Sequence, residues 1–199
     1  MNVWRDRLQR WFSPLARHCP LSPNTVTILA LLIQLAAVVC LLRRAFLVAI
    51  VFVIAGGLAD AFDGVVARVQ QKESRFGDFL DHFADRIADL ALAAAWMLGS
   101  GVRTEILIVV LIAIMLNGYI GTQIEATWKV REYDSIGRGE FVLGLVVFPI
   151  VSHILAANGW RDLRGAGLTI AEWMSIAMAF FAVLGIAQRF AKAARMERT

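Results

Sequence analysis

The chain has 199 residues, a net charge of +4, 59% hydrophobic residues and only 18% charged ones, with a mean hydropathy of +0.65. That balance excludes a disordered chain and a water-soluble globule, and it predicts a membrane protein of one domain over residues 1–199. No basic repeat of the kind that tracks a nucleic-acid backbone occurs, so nucleic acid is not an expected partner; the positive charge suits anionic lipid head groups.

In chain order, residues 1–20 come first. Trp4, Leu8, Trp11, Phe12 and Leu15 fall on one helical face with arginines elsewhere, which predicts an amphipathic juxtamembrane helix lying on the cytoplasmic membrane surface. The basic stretch is long and aromatic and no small-x-small site follows it, so a cleaved signal peptide is not expected. Six apolar segments follow within residues 22–190. Runs 25–42, 106–124 and 141–160 carry no charge, and each approaches the roughly 20 residues that a helix needs to cross a bilayer. Segments 45–69, 76–99 and 170–190 are apolar but carry charge, the last with Glu172 near its start. The expected fold is therefore all-α: a bundle of six transmembrane helices plus the N-terminal interfacial helix. Cys19 and Cys40 lie at opposite ends of the first span, separated by about 30 Å of helix, and are expected to be free thiols.

Six spans put both termini on one side. The N-terminal segment, the loops 68–75 and 129–138, and the C-terminal tail together hold 14 of the 20 basic residues, whereas the opposite loops hold Arg43, Arg44, Arg103, Arg161 and Arg164. The positive-inside rule makes the first set cytoplasmic.

Six aspartates lie between residues 56 and 90. Asp60, Asp63 and Ala67 recur at i, i+3, i+7, and Asp81, Asp85 and Asp89 at i, i+4, i+8, so each set lines a face of its helix. The short basic loop between the two segments makes them antiparallel neighbours, with Asp60, Asp63, Asp81 and Asp85 at similar depth near the cytoplasmic end. Four bare carboxylates sharing one site would cost several kcal/mol each. Divalent cations remove the conflict, and all-oxygen ligation suits Mg²⁺ or Mn²⁺, two ions roughly 3.5 to 4 Å apart being the arrangement used in phosphoryl transfer. Gly64 and Gly77 would let a bulky ligand approach the backbone. Other residues read more plainly: Gly56, Gly57 and Gly118 as helix-packing contacts, Asp89 as an ion-pair partner of Arg86 at i−3, and His82 and His153 as core or interfacial histidines.

The string Asp60-x2-Asp63-Gly64-x2-Ala67-Arg68-x8-Gly77-x3-Asp81-x3-Asp85 resembles the signature of the CDP-alcohol phosphotransferase (CDP-alcohol phosphatidyltransferase) family at every specified position. "SPNTVT", residues 22–27, is similar to the Pro-Asn-x-x-Thr element that opens the first span in that family. The resemblance implies an integral membrane enzyme of phospholipid synthesis. A CDP-linked lipid such as CDP-diacylglycerol or CDP-archaeol would give its substituted phosphate to an alcohol acceptor, and CMP would leave. It further implies that Asp60, Asp63, Asp81 and Asp85 bind metal and that Asp85 is also the catalytic general base. The CDP donor would be bound by Asn24, Thr25, Thr27, Asp60, Gly64, Ala67, Arg68, Ser74, Gly77 and Asp81. A homodimer in the plasma membrane of a prokaryote, its active site facing the cytoplasm, is expected on the same ground.

The acceptor could be inositol phosphate, glycerol phosphate or another small polar alcohol. Members that use inositol phosphate carry a basic run like Tyr-x-Lys-Ala-Arg-Ala-Glu at the end of the fourth span and an Arg-x-Glu-Arg element after it. Here "YIGTQIEA" from Tyr119 and "GRGEF" from Gly137 keep Tyr119, Glu125, Arg138 and Glu140, but Gly121, Gln123 and Phe141 replace basic residues. Tyr119, Lys129, Arg131 and Arg138 are the candidate acceptor contacts. Two other classes use similar residues. An intramembrane Mg²⁺-dependent prenyltransferase would use Asp81, Asp85 and Asp89 as a DxxxD site, and a divalent-cation transporter would use a carboxylate cluster near the bilayer midplane. The first usually needs more spans and does not account for Gly64, Ala67 and Arg68 together; against the second, the cluster here is expected near one face of the membrane.

Overall fold

A computed structural model of the chain describes residues 11–129 and 138–196, apart from the side chains of residues 138–140 and 142. A short helix α1 (11–17) is followed by α2 (Pro23–Leu42), α3 (Phe46–Val69), α4 (Arg75–Ser100), α5 (Thr104–Trp128) and α6 (Arg138–Ala157). A two-stranded ribbon of β1 (Arg164–Gly165) and β2 (Leu168–Thr169) then leads into α7 (Ile170–Met196).

Local chemistry explains most of the boundaries. Ser22 caps α2, its hydroxyl accepting the Thr25 N–H at 3.2 Å, and Pro23 follows at the first helical position, where its missing N–H costs nothing. Arg44 at φ 61° reverses the chain into α3. Ser74 caps α4 in the same way, accepting the Gly77 N–H at 3.0 Å, and Gly101 closes that helix in the left-handed conformation, φ 81°. Helix α7 starts with a capping box: Thr169 Oγ1 accepts the Glu172 N–H at 3.2 Å, while Glu172 accepts the Thr169 N–H at 2.8 Å. The ribbon before it turns through Ala166 and Gly167, both at positive φ, the geometry of a two-residue hairpin loop.

Helices α2, α3, α5 and α7 are long and apolar enough to cross a membrane. Helix α4 has the length, at 26 residues, but carries the aspartates, and the apolar part of α6 is the shorter stretch Leu143–Ala157. Large apolar side chains such as Leu32, Val51, Val109 and Phe180 are exposed on the outer faces of the four apolar helices, as lipid contact requires. The chain is a membrane protein. Residues 11–17 are the described part of the expected surface helix; Trp11 and Leu15 are exposed, whereas Ala16 is buried and Phe12 packs edge-on to Phe62 of α3 at 5.6 Å. Trp4 and Leu8, also assigned to that apolar face, lie outside the described residues.

Helix α2 packs against both α3 and α4, and α5 against α7. Small residues permit the closest approaches. A Cβ at Gly99 would lie 2.2 Å from the Leu41 carbonyl oxygen, and one at Gly56 would lie 2.4 Å from Gln34 Cγ. Trp96, fully buried, donates to Ser152 Oγ at 3.0 Å and so joins α4 to α6. At the end of the bundle holding Leu41 and Gly99, Arg103 reaches Glu172 at 2.6 Å. The site aspartates lie at the other end, Asp60 and Asp63 in the second half of α3 and Asp81 and Asp85 in the first half of α4.

Candidate active site

The antiparallel course of α3 and α4 brings two carboxylate pairs together. Donor atoms of Asp60, Asp63 and Asp81 lie within 4.8 Å of one another, and so do those of Asp81, His82 and Asp85. Asp63 and Asp85 are each only 6% exposed, while Asp60, Asp81 and His82 are half-buried. A cavity of about 200 Å³ opens over Asp60, Asp63 and Asp81, with Gly64 and Arg68 on its wall.

Helix α2 supplies a third side. Thr27 Oγ1 donates to Asp63 Oδ2 at 2.5 Å, across 36 residues of sequence, fixing the rotamer of the most enclosed member of the first group. Asn24 lies beside the start of α4, its Oδ1 3.1 Å from where a Cβ on Gly77 would sit, and Ser74 Oγ is at the same distance. Gly77 therefore makes room for both polar groups at a helix N-terminus, where N–H groups and the helix dipole favour an anion. The Arg68 guanidinium lies 3.4 Å from a Cβ built at Gly64, so this glycine provides the space over which the arginine extends.

Two of the ten expected donor contacts have mainly local roles. Thr25 is exposed, its hydroxyl 2.8 Å from Ser22 Oγ in the α2 cap, and Ala67 is half-buried, its carbonyl accepting the Lys72 N–H at 2.8 Å. Asp89 forms the expected ion pair with Arg86, at 3.2 Å, and is 4% exposed. Gly118 has a definite packing role: a Cβ there would lie 1.9 Å from Arg86 Nη1, so α5 accommodates that guanidinium only at a glycine.

Of the acceptor candidates, Tyr119 is exposed and its hydroxyl accepts a hydrogen bond from Gln123 Nε2 at 2.6 Å. Lys129 is exposed at the end of α5, in the left-handed conformation at φ 57°. Arg131 and the side chain of Arg138 lie outside the described residues. Sequence reasoning missed two side chains. Arg189 of α7 extends over Gly121 and donates to the carbonyl and side-chain oxygens of Asn117, bringing a cation to the α5 face that lacks its own. His82 joins Asp81 and Asp85; its position three residues before Asp85 was the available signal.

The family model of the CDP-alcohol phosphatidyltransferases matches residues 20–187. The chain belongs to that family. Among CDP-alcohol phosphatidyltransferase relatives, the archaetidylinositol phosphate synthase of Pyrococcus horikoshii is 33% identical over 99 residues, a match covering 50% of this chain and about half the length of that relative, 53%. The phosphatidylinositol phosphate synthase of Mycobacterium tuberculosis, solved with manganese and citrate, aligns over 90% of this chain and 87% of its own, with a TM-score of 0.69 and 24% identity. The same enzyme solved with CDP-DAG bound aligns over 93% and 92%, with a TM-score of 0.67 and 22% identity. At these identities the likeness establishes the fold, and the family signature, Asp60 to Asp85, falls where α2, α3 and α4 meet.

Proposed function

We propose that the protein transfers a substituted phosphate from a CDP-linked lipid, CDP-diacylglycerol or CDP-archaeol, to a small polar alcohol in phospholipid synthesis, with release of CMP. The observation that carries this reading is the convergence of Asp60, Asp63 and Asp81 at a cavity that also bears Gly64 and Arg68, with Asp85 beside it. The acceptors to be weighed are inositol phosphate, as the names of the relatives suggest, glycerol phosphate, and unphosphorylated polyols.

The donor set fits Mg²⁺ or Mn²⁺: it is almost all carboxylate oxygen, and its members are already close enough to share ions. Asp60, Asp63, Asp81 and Asp85 would hold them, and two donor groups meeting at Asp81 suit two ions. Bound there, divalent ions supply charge neutralisation for the pyrophosphate and for the departing CMP oxygen. The protein's own residues do the rest. Thr27 holds Asp63 in place, Arg68 offers a permanent positive charge to the phosphates, and Asn24, Ser74 and Gly77 form a polar recess for the nucleotide. Asp85 takes the proton of the acceptor hydroxyl as its oxygen bonds to phosphorus and the bond from phosphorus to the CMP oxygen breaks.

In this reading residues 1–199 form one domain in the plasma membrane of a prokaryote. Helices α4 and α6 complete six spans, their polar faces turned to the bundle, with α1 lying on the cytoplasmic surface beside an active site that opens to the cytoplasm. A homodimer is part of the same reading. The test is CMP release by purified protein in liposomes containing Mn²⁺ and radiolabelled CDP-diacylglycerol or CDP-archaeol, with a panel of acceptors. Acceptor-dependent release of CMP with a labelled phospholipid product is the expected result. Prenyl transfer or metal flux in its place would overturn it.

A further inference from the structure

The proposed chemistry leaves one firmly anchored side chain unused, at the C-terminal end of α3. Gln70, half-buried, is the C-cap residue of that helix and engages its whole carboxamide. Its Nε2 donates to the Ala16 carbonyl at 3.0 Å and to the Cys19 carbonyl at 2.9 Å, and its Oε1 accepts a hydrogen bond from Lys72 Nζ at 2.8 Å. Ala16 belongs to the last turn of α1, whose carbonyls lack partners within the helix, and Cys19 belongs to the elbow between α1 and α2, three residues before the Ser22 cap. Resting on the nucleotide recess proposed above, we infer that Gln70 is a positioning residue for the CDP part of the donor: it pins the α1–α2 elbow to the end of α3 and so holds Asn24 in register with Ser74 and Gly77.

The elbow needs a directional restraint. Its apolar contacts, Ala16 against Val65 and Val66 and Phe12 against Phe62 at 5.6 Å, press α1 onto α3 without fixing how far it slides. Hydrogen bonds to two carbonyls do fix it, because they weaken steeply off their preferred line. Pro20 and Pro23 have φ angles set by their rings, so a displacement at Cys19 is passed on to Asn24, five residues later, with little slack. Thr27 ties α2 to Asp63 one turn further along, and Gln70 lies two turns beyond Asp63 on α3, so the start of α2 is held at two separate heights. The opposite wall of the recess begins at Gln70 as well. The chain reverses through Gln71 at φ 54°, the Lys72 N–H donates to the Ala67 carbonyl at 2.8 Å, and Ser74 then caps α4. One side chain therefore governs both walls where they are tightest, since Asn24 Oδ1 and Ser74 Oγ are each 3.1 Å from where a Cβ on Gly77 would sit. A small shift of the elbow would open that gap and misplace Asn24, while Thr27 keeps Asp63 in place.

The inference is tested on full-length protein in lipid nanodiscs with Mn²⁺, titrated with CDP by calorimetry. Gln70→Met keeps the length of the side chain and removes the donors; Gln70→Glu keeps its shape and places a carboxylate against the two carbonyls. Both should weaken CDP binding by about fivefold to tenfold, within the worth of the hydrogen bonds lost. Both should also raise KM for the CDP-lipid and leave kcat within about twofold, as loss of uniform binding does. Asn24→Ala should weaken CDP binding in the wild-type background but add less than about twofold in Gln70→Met, because Gln70 acts through Asn24. A lower thermal midpoint with unchanged CDP affinity, or additive losses in the double variant, would reduce Gln70 to a structural cap and overturn the inference with the recess left standing. If both Gln70 variants fail to fold, the native elbow gives the answer: in Cys40→Ala protein, CDP should slow alkylation of the half-buried Cys19, and an unchanged rate would overturn the coupling. Wild-type protein that binds no CDP in the presence of Mn²⁺ would overturn the recess and the inference with it.

Discussion

At the scale of single residues, the decisive group is Asp85, a carboxylate 6% exposed beside the cavity and within the Asp81 and His82 group. Asp85→Asn keeps the size of the side chain and an oxygen for the metal but cannot accept a proton. Turnover should fall by about 10²- to 10⁴-fold, the usual contribution of a general base, while binding of the CDP-lipid stays measurable. Asp60→Ala should damage both. Single-turnover CMP release together with equilibrium binding of a labelled donor separates the two effects, and an Asp85→Asn rate above about a tenth of wild type would sink the assignment. The site was legible to this degree because its residues keep fixed spacing on two adjacent helices. The bond from Thr27 to Asp63 was not legible as a contact, since it joins positions 36 residues apart and depends on how α2 is rotated against α3. Arg189 was missed for the same reason: it lies on the last helix, 72 residues from the Asn117 that it contacts.

At the scale of elements, the helices followed from hydropathy, whereas the caps that set their ends, at Ser22, Pro23, Ser74 and Gly101, became visible in the structure. The β1–β2 ribbon did not follow. Two residues per strand give no alternating pattern, and the turn through Ala166 and Gly167 becomes visible only once its positive φ angles are known. Packing between helices was readable only as a list of glycines, with nothing to rank them. The geometry now ranks them. A Cβ at Gly99 would press on the Leu41 carbonyl at 2.2 Å, a backbone atom that cannot turn aside, whereas a Cβ at Gly57 meets nothing within 4 Å. Gly99→Ala should therefore separate α2 from α4 and cost about 1–3 kcal/mol, seen as a lower thermal midpoint in detergent. Gly57→Ala should be neutral or slightly stabilising, because alanine is the better helix former. Equal midpoints for the two variants would mean that α2 and α4 are not held as closely as described.

At the scale of the whole molecule, orientation and metal are linked, since the aspartates, the basic loop 68–75 and the proposed nucleotide recess lie at one end of the bundle. In a variant lacking Cys19 and Cys40, a cysteine at Gln71 should be shielded from an impermeant thiol reagent in intact cells, and one at Asn158 should react; the reverse pattern would overturn the cytoplasmic reading. The bundle should also respond to cations as a unit. Without them, repulsion among Asp60, Asp63, Asp81 and Asp85 opposes the contact of α3 with α4, so Mg²⁺ or Mn²⁺ should raise the thermal midpoint in a concentration-dependent way, as any ligand of the folded state does. Protons compete with the metal for the same carboxylates, so the increment should be large near neutral pH and shrink as pH falls. Asp81→Ala should abolish most of it, because Asp81 belongs to both donor groups. Asp89→Asn provides the contrast. It breaks the pair of the buried Asp89 with the partly exposed Arg86, at 3.2 Å, and should lower the metal-free midpoint, because the guanidinium loses its carboxylate partner. The increment on adding metal should survive, because Asp89 lies in neither donor group. If Asp89→Asn erased the increment as fully as Asp81→Ala, the carboxylate site would extend a turn deeper into the bundle, and Arg86 would belong to its wall.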